Sequence, residues 1–177
     1  MSVRRRIFIA ATAILLFSFF LHAENLSKHV FTKTTPDGTV VFVKPHKIKR
    51  DGTTQALKDM ECDIVLTTFS DTVTFTVSLI TPQPISFDSV EVSVGNFNSY
   101  FPVEKLYIEP IGDNWSSRVR FYTPVSDFTR LYDTSGILRF KWGYNDTAPS
   151  YILNNKDWNK RRQVYRFAFD VISHNKH

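Results

Sequence analysis

TVTFTVSL, residues 72 to 79, places Val73, Phe75, Val77 and Leu79 on one parity and Thr72, Thr74, Thr76 and Ser78 on the other. Successive side chains of a strand point to opposite faces, so this alternation describes a half-buried antiparallel strand with one dry face and one wet one. Just upstream, CDIVLTTF (62 to 69) repeats the pattern, and Ser70 and Asp71 alone separate the two runs, a spacing that predicts a hairpin.

The same period extends outward in both directions. HVFTKTT and TVVFV flank Pro36, Asp37 and Gly38, where proline presets one backbone angle and glycine permits a positive one, and they read as a first hairpin. KPHKIKRDG then reads as a basic loop. Downstream, past Pro82 and Pro84, SVEVSV predicts a strand with Val90, Val92 and Val94 inward. VEKLYIE offers Leu106 and Ile108, IGDNWSS turns the chain, RVRFYT offers Val119 and Phe121, and ILRFKW offers Leu138, Phe140 and Trp142. A short piece at 151–153 is expected to pair with the last of these across WGYND.

Two segments depart from period two. VSDFTRLYDTSG has Ser126 or Asp127 as an N-cap, Phe128 and Leu131 three apart, and Gly136 past the end, which predicts a short helix near 126–134. KDWNKRRQVYRFAFDVI, 156 to 172, fits either period. As a strand it would turn Tyr165, Phe167, Phe169 and Val171 inward; as a helix capped by Asn154 or Asn155 it sets Trp158, Arg161, Arg162, Tyr165, Phe169 and Ile172 along one side. The cap and the helix-compatible run from Lys160 to Gln163 favour a helix over 155–172. It is expected to dock by its aromatics and to carry Lys156, Lys160, Arg161, Arg162 and Arg166 at the rim, their stems over apolar surface.

Short strands at regular spacing, with no internal repeat, predict a mainly β domain, an antiparallel β-sandwich-like fold with a small β-barrel as the alternative. A membrane barrel is the rival, but its strands need about 9 to 11 residues, and most runs here are shorter.

The start of the chain carries a different signal. Arg4, Arg5 and Arg6 precede an apolar run over 7–21 and the small Ala23, the order of a secretory signal peptide over 1–23. The run is shorter than the roughly 20 apolar residues a spanning helix needs, so no stable transmembrane anchor is expected in the mature chain. The general secretory route is favoured over the twin-arginine one, and the mature domain, 24–177, is expected in the periplasm or outside the cell. Three of the 22 basic residues leave with the leader, so 19 remain against 17 acidic ones, a balance of +2. So small a balance gives no domain-wide footprint for nucleic acid, which is not an expected partner. The single cysteine, Cys62, shares parity with Met60, Ile64 and Leu66 and is expected to be buried filler.

The order of DMECDIVL, SDTVTFTVSL, KLYIEP, RVRFYT, SDFTRLYDTSG, LRFKWG and DWNKRRQVYRFAFDVI resembles a group of small, exported, uncharacterised β-rich proteins of Gram-negative bacteria. The resemblance covers most of the mature chain. Its motifs are structural and imply no catalytic or binding residue.

No chemical motif stands out. The mature histidines His29, His46, His174 and His177 include one helical spacing, His174 with His177, and no HExxH or paired-cysteine pattern, so no metal or other cofactor is expected. No GxSxG elbow marks a nucleophile, and Glu91, Glu104, Glu109 and Asp113 are scattered rather than paired. NLS at 25, NWS at 114 and NDT at 145 match the glycosylation acceptor pattern, which a bacterial origin would make irrelevant. Trp115 in GDNWSS and Tyr144 in WGYND fall in predicted turns, where a ring is not needed for the core, and Tyr151 follows; these three are the candidate ligand or partner contacts. The resulting reading is a non-enzymatic exported protein that binds a protein or glycan or serves structurally. A carbohydrate-binding domain using these aromatics is the alternative, and a hydrolase without a recognisable motif comes third.

Overall fold

The computed structural model describes residues 26–52, 57–144 and 148–175. The expected leader, the first and third acceptor asparagines and His177 lie outside them. The elements run β1 (Val30–Thr35), β2 (Gly38–Arg50), β3 (Met60–Thr67), β4 (Thr72–Thr81), β5 (Ser89–Val94), β6 (Phe97–Ile111), β7 (Asn114–Pro124), α1 (Val125–Asp133), β8 (Leu138–Trp142), β9 (Ser150–Leu153) and α2 (Asn155–His174). All neighbouring strands pair antiparallel in the order β1-β2-β3-β4-β7-β6-β5-β8-β9. β9 returns to β2, setting Lys49 opposite Ile152 and Arg50 opposite Tyr151. Eight strands therefore close into a barrel, and β1 lies outside it along the first half of β2. Of the two forms expected, the barrel is the one this pairing supports; the sandwich is not, because the outer edges of a two-sheet stack would stay unjoined.

The alternation in TVTFTVSL is realised as read: Val73, Phe75, Val77 and Leu79 are fully buried, and Phe75 stacks on Phe121 with centroids 4.8 Å apart. Cys62 sits in the same interior, opposite Val77. The outer face carries ion pairs, Arg118 to Asp63 at 2.9 Å and Arg120 to Glu104 at 3.7 Å. An apolar interior and a charged exterior are the reverse of a lipid-facing barrel. Among the described residues no helix is long and apolar enough to cross a membrane.

Two bulges bend long strands between partners, since an extra residue kinks the ladder and raises the local twist. One, between Val43 and His46, contains Pro45, whose missing N–H suits a break in the ladder. It makes a strand of KPHKIKR, the greater part of the stretch that had read as a loop, and turns His46 and Ile48 inward. The other, between Lys105 and Tyr107, leaves Leu106 and Ile108 half-buried rather than core. FNSYF, which shows little alternation, begins the same strand: β6 pairs with β5 over 97–102 and with β7 over 103–111.

Both helices leave strands at the same end of the barrel. α1 begins directly after Pro124 without a side-chain cap, so Ser126 and Asp127 lie inside its first turn instead of before it. It buries Phe128 and Leu131 as expected, and Tyr132 as well. α2 is capped by Asn154, whose side chain accepts from the Asp157 N–H at 2.9 Å and donates to the Asp157 carboxylate at 2.8 Å. It buries Trp158, Val164, Tyr165, Ala168 and Ile172, and the Trp158 indole donates to the Thr134 carbonyl at 2.9 Å, tying α2 to the end of α1.

Candidate functional site

The structure does not bring Trp115, Tyr144 and Tyr151 together. Trp115 is in β7 rather than a turn, half-buried between Thr81 and Pro110. Tyr151 is fully buried in β9 opposite Phe140, its hydroxyl lacks a partner, and burial together with the Asp59 charge raises its pKa. It belongs to the core. Tyr144 is the exception: 76% exposed, it lies against Tyr100 with centroids 6.3 Å apart and ring planes 19° apart.

A deeper feature lies at the seam where the barrel closes. β1 reaches as far as Val43 along one edge of β2, and β9 takes up that edge at Lys49. Between them the bulge leaves an interval without a strand partner on that side. The first half of α2 covers it from one side, and Leu26 and His29, in the turn before β1, border it from another. The space left is a cleft of about 680 Å³. Its walls are His46, Lys47 and Lys49 of β2, Asp59 before β3, Leu153 of β9, and Asp157, Lys160, Arg161, Gln163 and Val164 of α2 and its first turns.

Charge in this cleft is unbalanced. Four of the lining residues are lysine or arginine and two are aspartate, and the aspartates are engaged: Asp59 accepts the Arg50 N–H at 3.2 Å, and Asp157 accepts from Asn154 at 2.8 Å. The Arg161 guanidinium has a buried Nη1 without a hydrogen-bond partner. His46 is 8% exposed; its Nε2 is 3.3 Å from the Tyr165 hydroxyl, while no partner meets its Nδ1 with hydrogen-bond geometry. Burial first, and then the Arg161 charge, lowers the His46 pKa to about 3, a shift that hydrogen bonding to the Cys62 backbone opposes. The His29 pKa is lowered by the same two causes in the same order, with Lys44 and Lys28 adding to them. Both rings are therefore neutral at pH 7, beside a permanent cation.

Cys62 faces His46 across β2 and β3, a pairing that invites comparison with a nucleophilic dyad. The electrostatics run the other way. Burial raises the thiol pKa and lowers that of the imidazole, so a thiolate–imidazolium pair is disfavoured on both sides. Among the described residues no group of three metal-ligating side chains converges.

Sequence reading had Arg161 on the correct side of α2, in line with Trp158 and Tyr165, but placed its charge at the rim. The signal for His46 was its shared parity with Ile48 immediately after a proline. Comparison with protein-family models, with curated proteins and with solved structures gave no match.

Proposed function

We propose that this chain is an exported, non-enzymatic binding protein of the kind the resemblance to Gram-negative exported proteins implies, and that its ligand site is the seam cleft. The observation that carries the reading is a buried polar atom at the cleft, Arg161 Nη1, that no group of the described residues partners. A buried donor or acceptor without a partner costs about 1 to 3 kcal/mol, more when charged, and a bound ligand removes that cost. Side chains fill the barrel interior, so the cleft rather than the lumen has room for a guest. The inverted thiol and imidazole pKa values speak against the hydrolase reading at this site.

Tyr144 and Tyr100 support a second reading as a glycan contact, since two exposed rings at a small interplanar angle offer apolar faces to a sugar. A thermal-shift panel of neutral oligosaccharides, short peptides and small anions separates the two. Stabilisation by a panel member is expected in wild type and in Tyr144→Ala, and is expected to vanish in Gln163→Trp, which fills the cleft from an exposed position. Stabilisation by oligosaccharides that Tyr144→Ala abolishes and Gln163→Trp leaves intact establishes the second reading. No stabilisation by any class sinks both.

A further inference from the structure

Resting on the cleft as the ligand site, we infer that the group it takes is a dianionic oxyanion of the phosphate monoester class, gripped by the Arg161 guanidinium against His46. The cleft walls carry two cations in excess, matching a dianion, and their acidic members already accept from Arg50 and Asn154. Arginine presents a planar fork of donors suited to phosphate oxygens, and here one fork nitrogen is buried and unpartnered. Among the described residues, none of Lys47, Lys49, Lys160 and Arg161 forms an ion pair within 4.0 Å. A neutral guest would leave this charge uncompensated. A cationic guest would meet Arg161 in a partly dry site.

The orientation of His46 fits the same guest. If Tyr165 donates to Nε2, the neutral ring carries its proton on Nδ1, a donor shared between the Cys62 backbone and the cleft beside Arg161. His29, whose pKa is lowered partly by the same guanidinium, stands at the outer wall with Lys44 and Lys28 behind it. An anion next to Arg161 offsets the guanidinium charge felt by both rings, the second cause of their lowered pKa values after burial.

Calorimetric titration with inorganic phosphate, and with sulfate as a probe that does not titrate between pH 5 and 8, tests this. Arg161→Gln is expected to weaken both by about tenfold or more, as the loss of a charge-assisted contact implies. Arg162→Gln, whose side chain reaches the Asp133 carbonyl outside the cleft, is expected to leave affinity unchanged. Vesicles of phosphatidylcholine with and without phosphatidic acid distinguish the source: co-sedimentation that requires phosphatidic acid and is lost in Arg161→Gln assigns a lipid headgroup, and phosphate binding without it assigns a free ligand. If neither anion binds while a neutral panel member still stabilises in a Gln163-dependent way, the inference fails and the cleft reading stands. Equal loss of binding in Arg161→Gln and Arg162→Gln also overturns it, since general surface charge would then be the cause.

Discussion

His46 concentrates the relation between sequence and site in a single residue. Its neutral form is tolerated in the core, whereas its charged form must be desolvated and held near the Arg161 guanidinium, which is why its pKa falls to about 3 in the folded protein against 6.5 for the free side chain. A folded pKa below the unfolded one means the unfolded chain binds the extra proton. Stability from this residue is therefore fully present above about pH 6.5 and is lost as pH falls toward about 3. The expected slope is about 1.4 kcal/mol per pH unit within that window. Urea unfolding of wild type and His46→Phe at pH 7, 6, 5 and 4 reads the difference in slope, not the absolute stabilities, which also register the lost Tyr165 contact. Parallel pH curves would mean that the folded protein protonates this ring without cost. Nothing in KPHKIKR alone reveals this behaviour: the alternation is broken at Pro45, and an isolated proline in a basic stretch reads more naturally as a loop than as a bulge.

Elements were legible to different degrees, and the differences have physical causes. β3 and β4 were readable because a strand buried on one face writes its period directly into the sequence. α2 was readable from its cap, although the inward face differs in detail: Val164 and Ala168 join Trp158, Tyr165 and Ile172 in the core, and Phe169 is half-buried. β6 was the hard case, because its faces exchange roles where it changes partners and no single parity describes its 15 residues. The docking of α2 yields a direct comparison. Trp158→Ala removes a fully buried ring and leaves the Thr134 carbonyl without its indole donor, so a loss of about 3 to 5 kcal/mol is expected, a large part of a typical stability of about 5 to 15. Arg162→Gln gives up one bond at a half-exposed rim and should cost under about 1 kcal/mol. Chemical-denaturation midpoints measure both. A near-wild-type midpoint for Trp158→Ala would mean that α2 is not anchored through this residue.

At the scale of the molecule, the closure of the barrel is what sequence alone did not decide between sandwich and barrel. The deciding contact joins Lys49 and Arg50 to Ile152 and Tyr151, about a hundred residues away, and no local pattern encodes it. The same contact is the weak line of the fold. β4 and β7 share ten residue pairs, while β2 and β9 share two, supplemented by the Asp51 N–H donating to the Ser150 carbonyl at 2.8 Å and by the Arg139–Asp51 ion pair at 2.5 Å. Two ladder pairs beside an open cleft give the seam few hydrogen bonds, so it is expected to open without unfolding the rest. Native-state hydrogen exchange should then show the amide of Ile152, which faces β2, exchanging through a local opening, while those of Val77 and Val119 exchange only through global unfolding. Inorganic phosphate bridging α2 and β2 at Arg161 and His46 would hold the seam shut, slowing Ile152 and scarcely affecting Val77 beyond the shift in global stability. Equal protection of seam and barrel wall without phosphate would show that α2 already clamps the closure. Slowing confined to the wall would place any bound anion elsewhere on the molecule.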